Sequence, residues 1–134
     1  MLDVYRARLE FPALRRQVIT LAGQWQAKYV CIEDASSGQS LLQDLNQSRA
    51  MPSGCYLQPI KPDLDKIERA EAASIAIEAG RVHLPTEAPW LANLKKEIRD
   101  FPRGHDDQVD SMAQLIHFVE TRKIYATEFK VRWY

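Results

Sequence analysis

The feature that most constrains the fold is a short apolar run, "YVCI", which ends in two acids and is followed at once by a helical pattern. Consecutive apolar residues bounded by polar ones are typical of a strand buried on both faces of a sheet. The residues "SSG" then turn the chain into "QSLLQDLNQS", whose leucines have helical spacing. A buried strand that leads directly into an amphipathic helix predicts an α/β sheet with helices on its faces.

The remaining patterns continue this alternation of strands and helices. Alternating or short apolar runs predict further strands at residues 2–11, 56–60 and 81–85. Helical spacing predicts further helices at residues 13–27, 63–80, 89–101 and 107–123. Gly80 is expected to end one of them in a left-handed conformation. We expect Trp25, Trp90 and Ile98 to lie on buried helix stripes.

Composition is that of a soluble globular protein, with 46% hydrophobic and 27% charged residues, and we predict a single domain over residues 1–134. No run reaches the roughly 18 apolar residues of a membrane span. Cys31 and Cys55 form no metal-type cluster, so a reduced, cytoplasmic protein is expected. Equal numbers of basic and acidic residues argue against a protein that mainly wraps nucleic acid, but a local basic strip remains compatible with them.

Two groups of acids give the strongest indication of chemistry. Glu33 and Asp34 end the "YVCI" strand, and chemistry collects at the carboxyl ends of strands in open α/β sheets. Asp106, Asp107 and Asp110 crowd the start of the last helix. If that start packs at the same sheet edge, the carboxylates converge and require cations to neutralise them. Oxygen ligands favour Mg²⁺ or Mn²⁺, and two such ions about 4 Å apart can hydrolyse a phosphodiester.

Helical geometry divides the acids of the last helix between two roles. Asp107 and Asp110 lie on neighbouring turns of one face, where we expect metal ligands. Asp106 is better placed as the N-cap of the helix, although it could also bind metal. His105, just outside the helix, could move protons, contact phosphate or bind metal. Two alternatives stay open: the helix dipole alone favours acids at this position, and Asp34 could form a turn rather than bind metal.

Three basic residues flank the start of the helix predicted at residues 63–80, namely Lys61, Lys66 and Arg69. They could contact the backbone of DNA, and a solvated helix face is an equally good explanation. The turn "SSGQS" has one glycine and lacks the lysine of a phosphate-binding loop, so we reject nucleotide binding there.

Three ordered segments resemble the C-terminal nuclease domain of phage large terminase subunits: "VCIEDASSGQSLLQDL", "DKIERAEAASIAIEAGRVHLP" and "FPRGHDDQVDSMAQ". The resemblance implies a ribonuclease H-like mixed sheet flanked by helices, a fold shared with RuvC-type resolvases. It implies a metal-dependent endonuclease that uses a pair of Mg²⁺ or Mn²⁺ ions to cut DNA during genome packaging. By resemblance, Glu33 corresponds to the acid that ends a strand, and Asp107 and Asp110 correspond to the acids of the last catalytic helix.

The chain departs from the family in one respect. The family carries a further aspartate at the carboxyl end of its first strand, whereas Asp3 lies near the start of the strand predicted ahead of the first helix. We therefore expect that the first two strands and one catalytic acid are lacking, and that nuclease activity is impaired. The sheet edges exposed by this loss would favour a homodimer.

The same resemblance implies a set of partners. These are double-stranded DNA, the terminase ATPase domain, the small terminase subunit and the portal, in the cytoplasm of a bacterial host; no membrane partner is expected. Two alternatives to this function stay open. One is a catalytically inactive prophage remnant that acts as a binding or assembly module, and the other is a RuvC-like endonuclease specific for branched DNA.

Overall fold

The computed structural model describes residues 1–61 and 65–122. The described residues form two compact units, one of residues 5–61 and one of residues 1–4 with 65–122. The predicted α/β class is confirmed, because helices alternate with a parallel pair of strands. The mixed sheet, the missing first strands and the single domain stay predictions.

The unit of residues 5–61 is a strand–helix–strand arrangement preceded by a helix. Its elements are α1 (Phe11–Gln24), β1 (Tyr29–Glu33), α2 (Ser37–Ser48) and β2 (Tyr56–Ile60). The two strands pair in parallel, in register from Tyr29 opposite Tyr56 to Glu33 opposite Ile60. Because parallel neighbours cannot be joined by a tight hairpin, α2 serves as the crossover between them. The strands predicted at "YVCI" and "YLQPI" are therefore confirmed, but β1 is half-buried along its whole length rather than buried on both faces.

Helix α2 forms the core of this unit. Its leucines Leu41, Leu42 and Leu45 are all buried, and the helix contacts both strands and α1. Beside these leucines Asp44 forms an ion pair with Arg15 of α1. The same arginine donates a 2.9 Å hydrogen bond to the hydroxyl of Ser48. Helix α2 is thus held by apolar burial and, beside it, by charge-assisted contacts with α1.

The unit of residues 1–4 and 65–122 packs α3 (Lys66–Glu78), α4 (Leu91–Asp100) and α5 (Asp107–Thr121). Helix α5 contacts both of the other helices. The buried apolar residues are Ala73, Ala76, Leu91, Leu94, Val109, Met112, Ala113 and Phe118. The small side chains of α3 permit its close approach to α5. Gly80 lies just past α3 with φ 71°, as predicted for its end.

Two predicted strands are wrong. Neither residues 1–10 nor residues 81–85 form a strand. In the first segment the alternating pattern does not match burial, since Leu2 is 47% and Tyr5 is 51% exposed. A strand needs a neighbour that accepts and donates its backbone hydrogen bonds, and a local pattern cannot supply one. The apolar residues of both segments are therefore not evidence of a sheet.

Two of the side chains predicted for the core are exposed instead. Trp25 is 44% exposed, because α1 ends at Gln24 and its buried stripe does not continue. Ile98 is 40% exposed, because α4 buries every third residue from Leu91 to Glu97 and thereby turns its neighbour outward. Trp90 is half-buried.

The last helix begins where it was predicted, at Asp107, and ends at Thr121. Lys123, the predicted end, lies outside the described residues. Cys31 and Cys55 are both free thiols. Across residues 1–61 and 65–122, every helix is too short or too polar to cross a membrane.

Candidate functional site

The carboxyl end of β1 carries the first pair of predicted site residues. Glu33 is the last residue of β1 and is half-buried. The backbone N–H of Asp34 donates a 2.8 Å hydrogen bond to the carbonyl oxygen of Ile60, and its own carbonyl accepts a 3.4 Å bond from the Gln39 side chain. The backbone of Asp34 therefore belongs to the turn between β1 and α2. Whether its carboxylate binds metal stays a prediction.

Gly38 fixes how closely α2 approaches the end of β1. A Cβ atom at this position would lie far inside van der Waals contact with the carbonyl oxygen of Glu33, and 3.4 Å from a methyl group of Ile32. Because the obstructing atom is part of the backbone, no side-chain rotation relieves the clash. The first turn of α2 can thus pack against the backbone of Glu33 only when residue 38 is glycine.

The start of α5 carries the second group of predicted residues, and two of its acids form ion pairs with α3. The Lys66 ammonium lies 2.5 Å from a carboxylate oxygen of Asp106. Arg69 binds one oxygen of Asp110 through two nitrogens, at 2.8 Å and 2.6 Å. Asp107 is exposed on the first turn of α5. Asp106 and Asp110 are therefore each neutralised by a cation of the same unit.

Electrostatics at this helix start couple the cations and the acids. The hydrogen bond to Asp106 and its negative charge raise the pKa of Lys66, and the charges of Asp110 and Asp107 act in the same direction. The Arg69 side chain is only 11% exposed, so its pair with Asp110 is shielded from water more than the Lys66 pair is. The acids thus create a negative electrostatic potential, and Lys66 and Arg69 neutralise part of it.

The predicted cap of α5 is wrong in its chemistry. Asp106 does occupy the N-cap position, but its side chain accepts no hydrogen bond from the helix. Glu97 of α4 takes this role instead. Its carboxylate accepts hydrogen bonds from the backbone N–H groups of Gln108, at 2.5 Å, and Val109, at 3.1 Å. Its second oxygen accepts a 2.6 Å bond from the Gln108 side chain.

Sequence reasoning missed Glu97, although a signal for it was present. The spacing of Leu91 and Leu94 places position 97 on the same buried face, where an ionisable residue requires partners. The side chain is only 7% exposed, and the donors at the start of α5 satisfy it. A charged residue on an apolar helix stripe therefore indicated a tertiary contact.

The donor chemistry at the start of α5 fits a hard divalent ion, since carboxylate oxygens are the ligands that Mg²⁺ and Mn²⁺ prefer. The spatial arrangement does not by itself form a metal site. Within residues 1–61 and 65–122, no three His, Cys, Asp or Glu side chains are grouped so that they could hold a metal ion. His105, a further candidate ligand, is exposed. Metal binding therefore stays a prediction.

The three basic residues predicted to contact DNA have different environments. Lys66 and Arg69 form the ion pairs with Asp106 and Asp110. Lys61 is exposed directly after β2. A contact between DNA and any of the three stays a prediction, and for Lys66 and Arg69 it would compete with the carboxylates they now bind.

Comparison with known proteins agrees with the resemblance drawn from the three ordered segments. Residues 2–118 match the family model of the terminase RNase H-like domain. No curated protein and no solved structure matches the chain. The match spans the β1 end with Glu33 and the α5 start with Asp107 and Asp110. Because the matched region covers most of the sequence, the chain belongs to the family of terminase RNase H-like domains.

Proposed function

We propose that this protein is a metal-dependent DNA endonuclease domain of a phage or prophage packaging terminase, and that its activity is impaired in this form. The observation that carries the proposal is the start of α5, where three acids accumulate although a residue of α4 accepts from the backbone N–H groups. Glu97 satisfies the backbone N–H groups there, so Asp107 and Asp110 are not required as caps. Family membership supplies the class of reaction, which is phosphodiester hydrolysis.

Glu33, Asp107 and Asp110 are the proposed metal ligands, with Asp34, Asp106 and His105 as further candidates. When bound, Mg²⁺ or Mn²⁺ would supply a Lewis acid for the phosphate and a water of lowered pKa. The protein's own contribution is to hold carboxylates on rigid elements. Glu33 ends a paired strand, and the two aspartates lie on the capped first turns of a helix.

We propose that DNA is held by exposed cations of α4 and the loop after it, in addition to Lys61. Lys95, Arg99 and Arg103 are exposed, whereas Lys96 is engaged by Asp100 at 2.8 Å. The three exposed cations stand on the segment that leads into Asp107, within a chain of formal net charge zero. Such a local excess of positive charge favours the phosphate backbone.

A second candidate function is a catalytically inactive module for binding or assembly. The observation that favours it is the pairing of Asp106 with Lys66 and of Asp110 with Arg69, because a carboxylate neutralised by a protein cation has less need of a metal. The proposed partners are the same for both functions: double-stranded DNA, the terminase ATPase domain, the small subunit and the portal. A homodimer through sheet edges and a location in the bacterial cytoplasm belong to the same proposal.

Plasmid nicking in Mn²⁺ tests the nuclease proposal. We expect the wild-type protein to convert supercoiled plasmid to the nicked form slowly, and the double variant Asp107→Asn with Asp110→Asn to show no conversion. Asp100→Asn is the matched control, because it removes an exposed aspartate one loop away and leaves the start of α5 unchanged. Chelation with EDTA should abolish nicking by the wild-type protein.

The outcomes separate the candidate functions. Nicking that survives the double variant would contradict the assignment of the acids. No nicking by the wild-type protein, with DNA binding retained, would favour the inactive module. Preferential cleavage of a four-way junction over linear duplex would favour a branched-DNA endonuclease.

Salt-dependent DNA binding tests the proposed role of the α4 cations. Each lost phosphate contact should reduce the slope of log K against log salt by about 0.9. The triple variant Lys95→Ala, Arg99→Ala and Arg103→Ala should therefore bind duplex DNA more weakly and with a shallower slope. Arg16→Ala, an exposed cation of α1, is the control. An unchanged slope in the triple variant would exclude this face.

A further inference from the structure

Glu97 stands out as the buried charged residue among the described residues, and its carboxylate connects α4 to the start of α5. It is 7% exposed, and its two oxygens accept hydrogen bonds from the backbone N–H groups of Gln108 and Val109 and from the Gln108 side chain. A carboxylate buried to this extent is stable only with such partners. These hydrogen bonds therefore connect α4 to the backbone of Gln108 and Val109 in α5.

That stretch lies between the two acids proposed as metal ligands. Gln108 and Val109 separate Asp107 from Asp110 along the first turn of α5. Hydrogen bonds to their backbone N–H groups fix the position and the direction of this turn. Glu97 therefore acts on the placement of the carboxylates on either side through the backbone that it holds.

The residue at the usual cap position does not compensate. Asp106 accepts no hydrogen bond from the helix, and its carboxylate is turned toward Lys66. Loss of Glu97 would therefore leave the N–H groups of Gln108 and Val109 without their acceptor, or would pull Asp106 or Asp107 back onto the helix start to replace it. Either response moves acids away from the positions they now hold.

We propose that Glu97 is a positioning residue for the carboxylates of Asp107 and Asp110, and that it acts through the reach of its side chain rather than through its charge. The inference rests on the proposed metal-dependent function. Outer residues that orient metal ligands typically change metal affinity by about 10–100-fold when removed. Glu97 holds the backbone between the ligands and so belongs to this class of residue.

Two substitutions separate reach from charge. Glu97→Gln keeps the length of the side chain and one carbonyl acceptor for the backbone N–H groups, while the Gln108 amide can rotate to accept from the new amide group. Glu97→Asp keeps the charge but shortens the side chain by one methylene, so it cannot reach both N–H groups. If reach is what matters, the glutamine variant retains function and the aspartate variant loses it.

The experiment is a direct titration of the folded protein with Mn²⁺, followed by calorimetry and by the electron paramagnetic resonance signal of free Mn²⁺. We expect Glu97→Asp to weaken Mn²⁺ binding by roughly tenfold and Glu97→Gln to remain within about threefold of wild type. Glu97→Ala should weaken binding at least as much as Glu97→Asp. Circular dichroism establishes for each variant that the protein is folded at the temperature of the titration.

Asp44→Ala provides the control, because it removes a carboxylate that joins α1 to α2 and belongs to the other compact unit. Its Mn²⁺ affinity should match wild type. If Glu97→Asp binds Mn²⁺ as tightly as wild type, the positioning role is wrong while the metal-dependent function stands. If Glu97→Gln is the weaker variant, charge rather than reach is responsible and the inference is overturned. If the wild-type protein binds no Mn²⁺, the proposed function fails and this inference fails with it.

Discussion

The first backbone N–H groups of α3 and of α5 both need hydrogen-bond acceptors, and the two helices obtain them from different places. At α3, Asp65 accepts hydrogen bonds from the N–H groups of Ile67 and Glu68, and the Glu68 side chain accepts one from Asp65 in return. This capping box is local and uses residues that are adjacent in sequence. At α5 the cap comes from Glu97, one helix earlier in the chain.

The difference shows what a tertiary cap makes available. A local cap commits the carboxylate at the helix start to the backbone, as for Asp65. With the cap supplied by α4, Asp106 can form an ion pair with Lys66, and Asp107 can remain exposed. At the start of α5 the carboxylate of Asp106 is therefore not committed to the backbone of the helix, in contrast to that of Asp65 at the start of α3.

The largest effect should come from removing the tertiary cap. Glu97→Ala leaves buried N–H groups of α5 and the Gln108 amide without an acceptor, and each such loss costs about 1–3 kcal/mol. We expect the free energy of unfolding to fall by roughly 3 kcal/mol, measured by urea denaturation followed by circular dichroism. A loss no larger than that of a surface substitution would mean that water or Asp106 replaces Glu97.

The local cap should matter less. Asp65→Ala removes the acceptor for the N–H groups of Ile67 and Glu68, but these lie at the surface, where water can replace it. The expected loss is about 1 kcal/mol, typical of a helix N-cap. Glu71→Ala, an exposed acid in the middle of α3 and away from both ends of the helix dipole, controls for charge alone. Equal losses for Asp65→Ala and Glu97→Ala would remove the distinction between the two helix starts.

The smallest effect should come from the residue that sequence rules identify as the cap of α5. Asp106→Ala removes no hydrogen bond to the helix. It breaks an ion pair whose lysine is half exposed, and such pairs contribute little to stability. We expect a loss of less than half of that for Asp65→Ala under the same conditions. A loss as large as a normal cap would show that Asp106 closes the helix in solution.

Local patterns predicted most of the elements because each depends on nearby residues. The apolar run that became β1, the leucines of α2 and the glycine after α3 act within a few positions of each other. The wrong strands at residues 2–11 and 81–85 fail for the complementary reason. A strand depends on a distant neighbour, and alternation along one segment contains no information about that neighbour.

The same distinction between nearby and distant residues applies to the candidate site. Residue type and spacing identified Glu33, Asp107 and Asp110 as candidates, since these are properties of the sequence. The partners of the acids could not be identified in this way. Lys66 lies against Asp106, and the role of Glu97 depends on how α4 packs on α5. Contacts between helices decide which acids are neutralised, and spacing along one helix cannot reveal them.

The close approach of Gly38 to the carbonyl of Glu33 has a consequence for screening. In a library that replaces every residue in turn and selects for DNA cleavage, position 38 should score as intolerant of all substitutions. Glycine has no side chain with which to perform chemistry, so a reader of such a map would misplace it among the reactive groups. The sensitivity of position 38 would in fact report a backbone contact, because Gly38 is where α2 packs against the carbonyl group of Glu33.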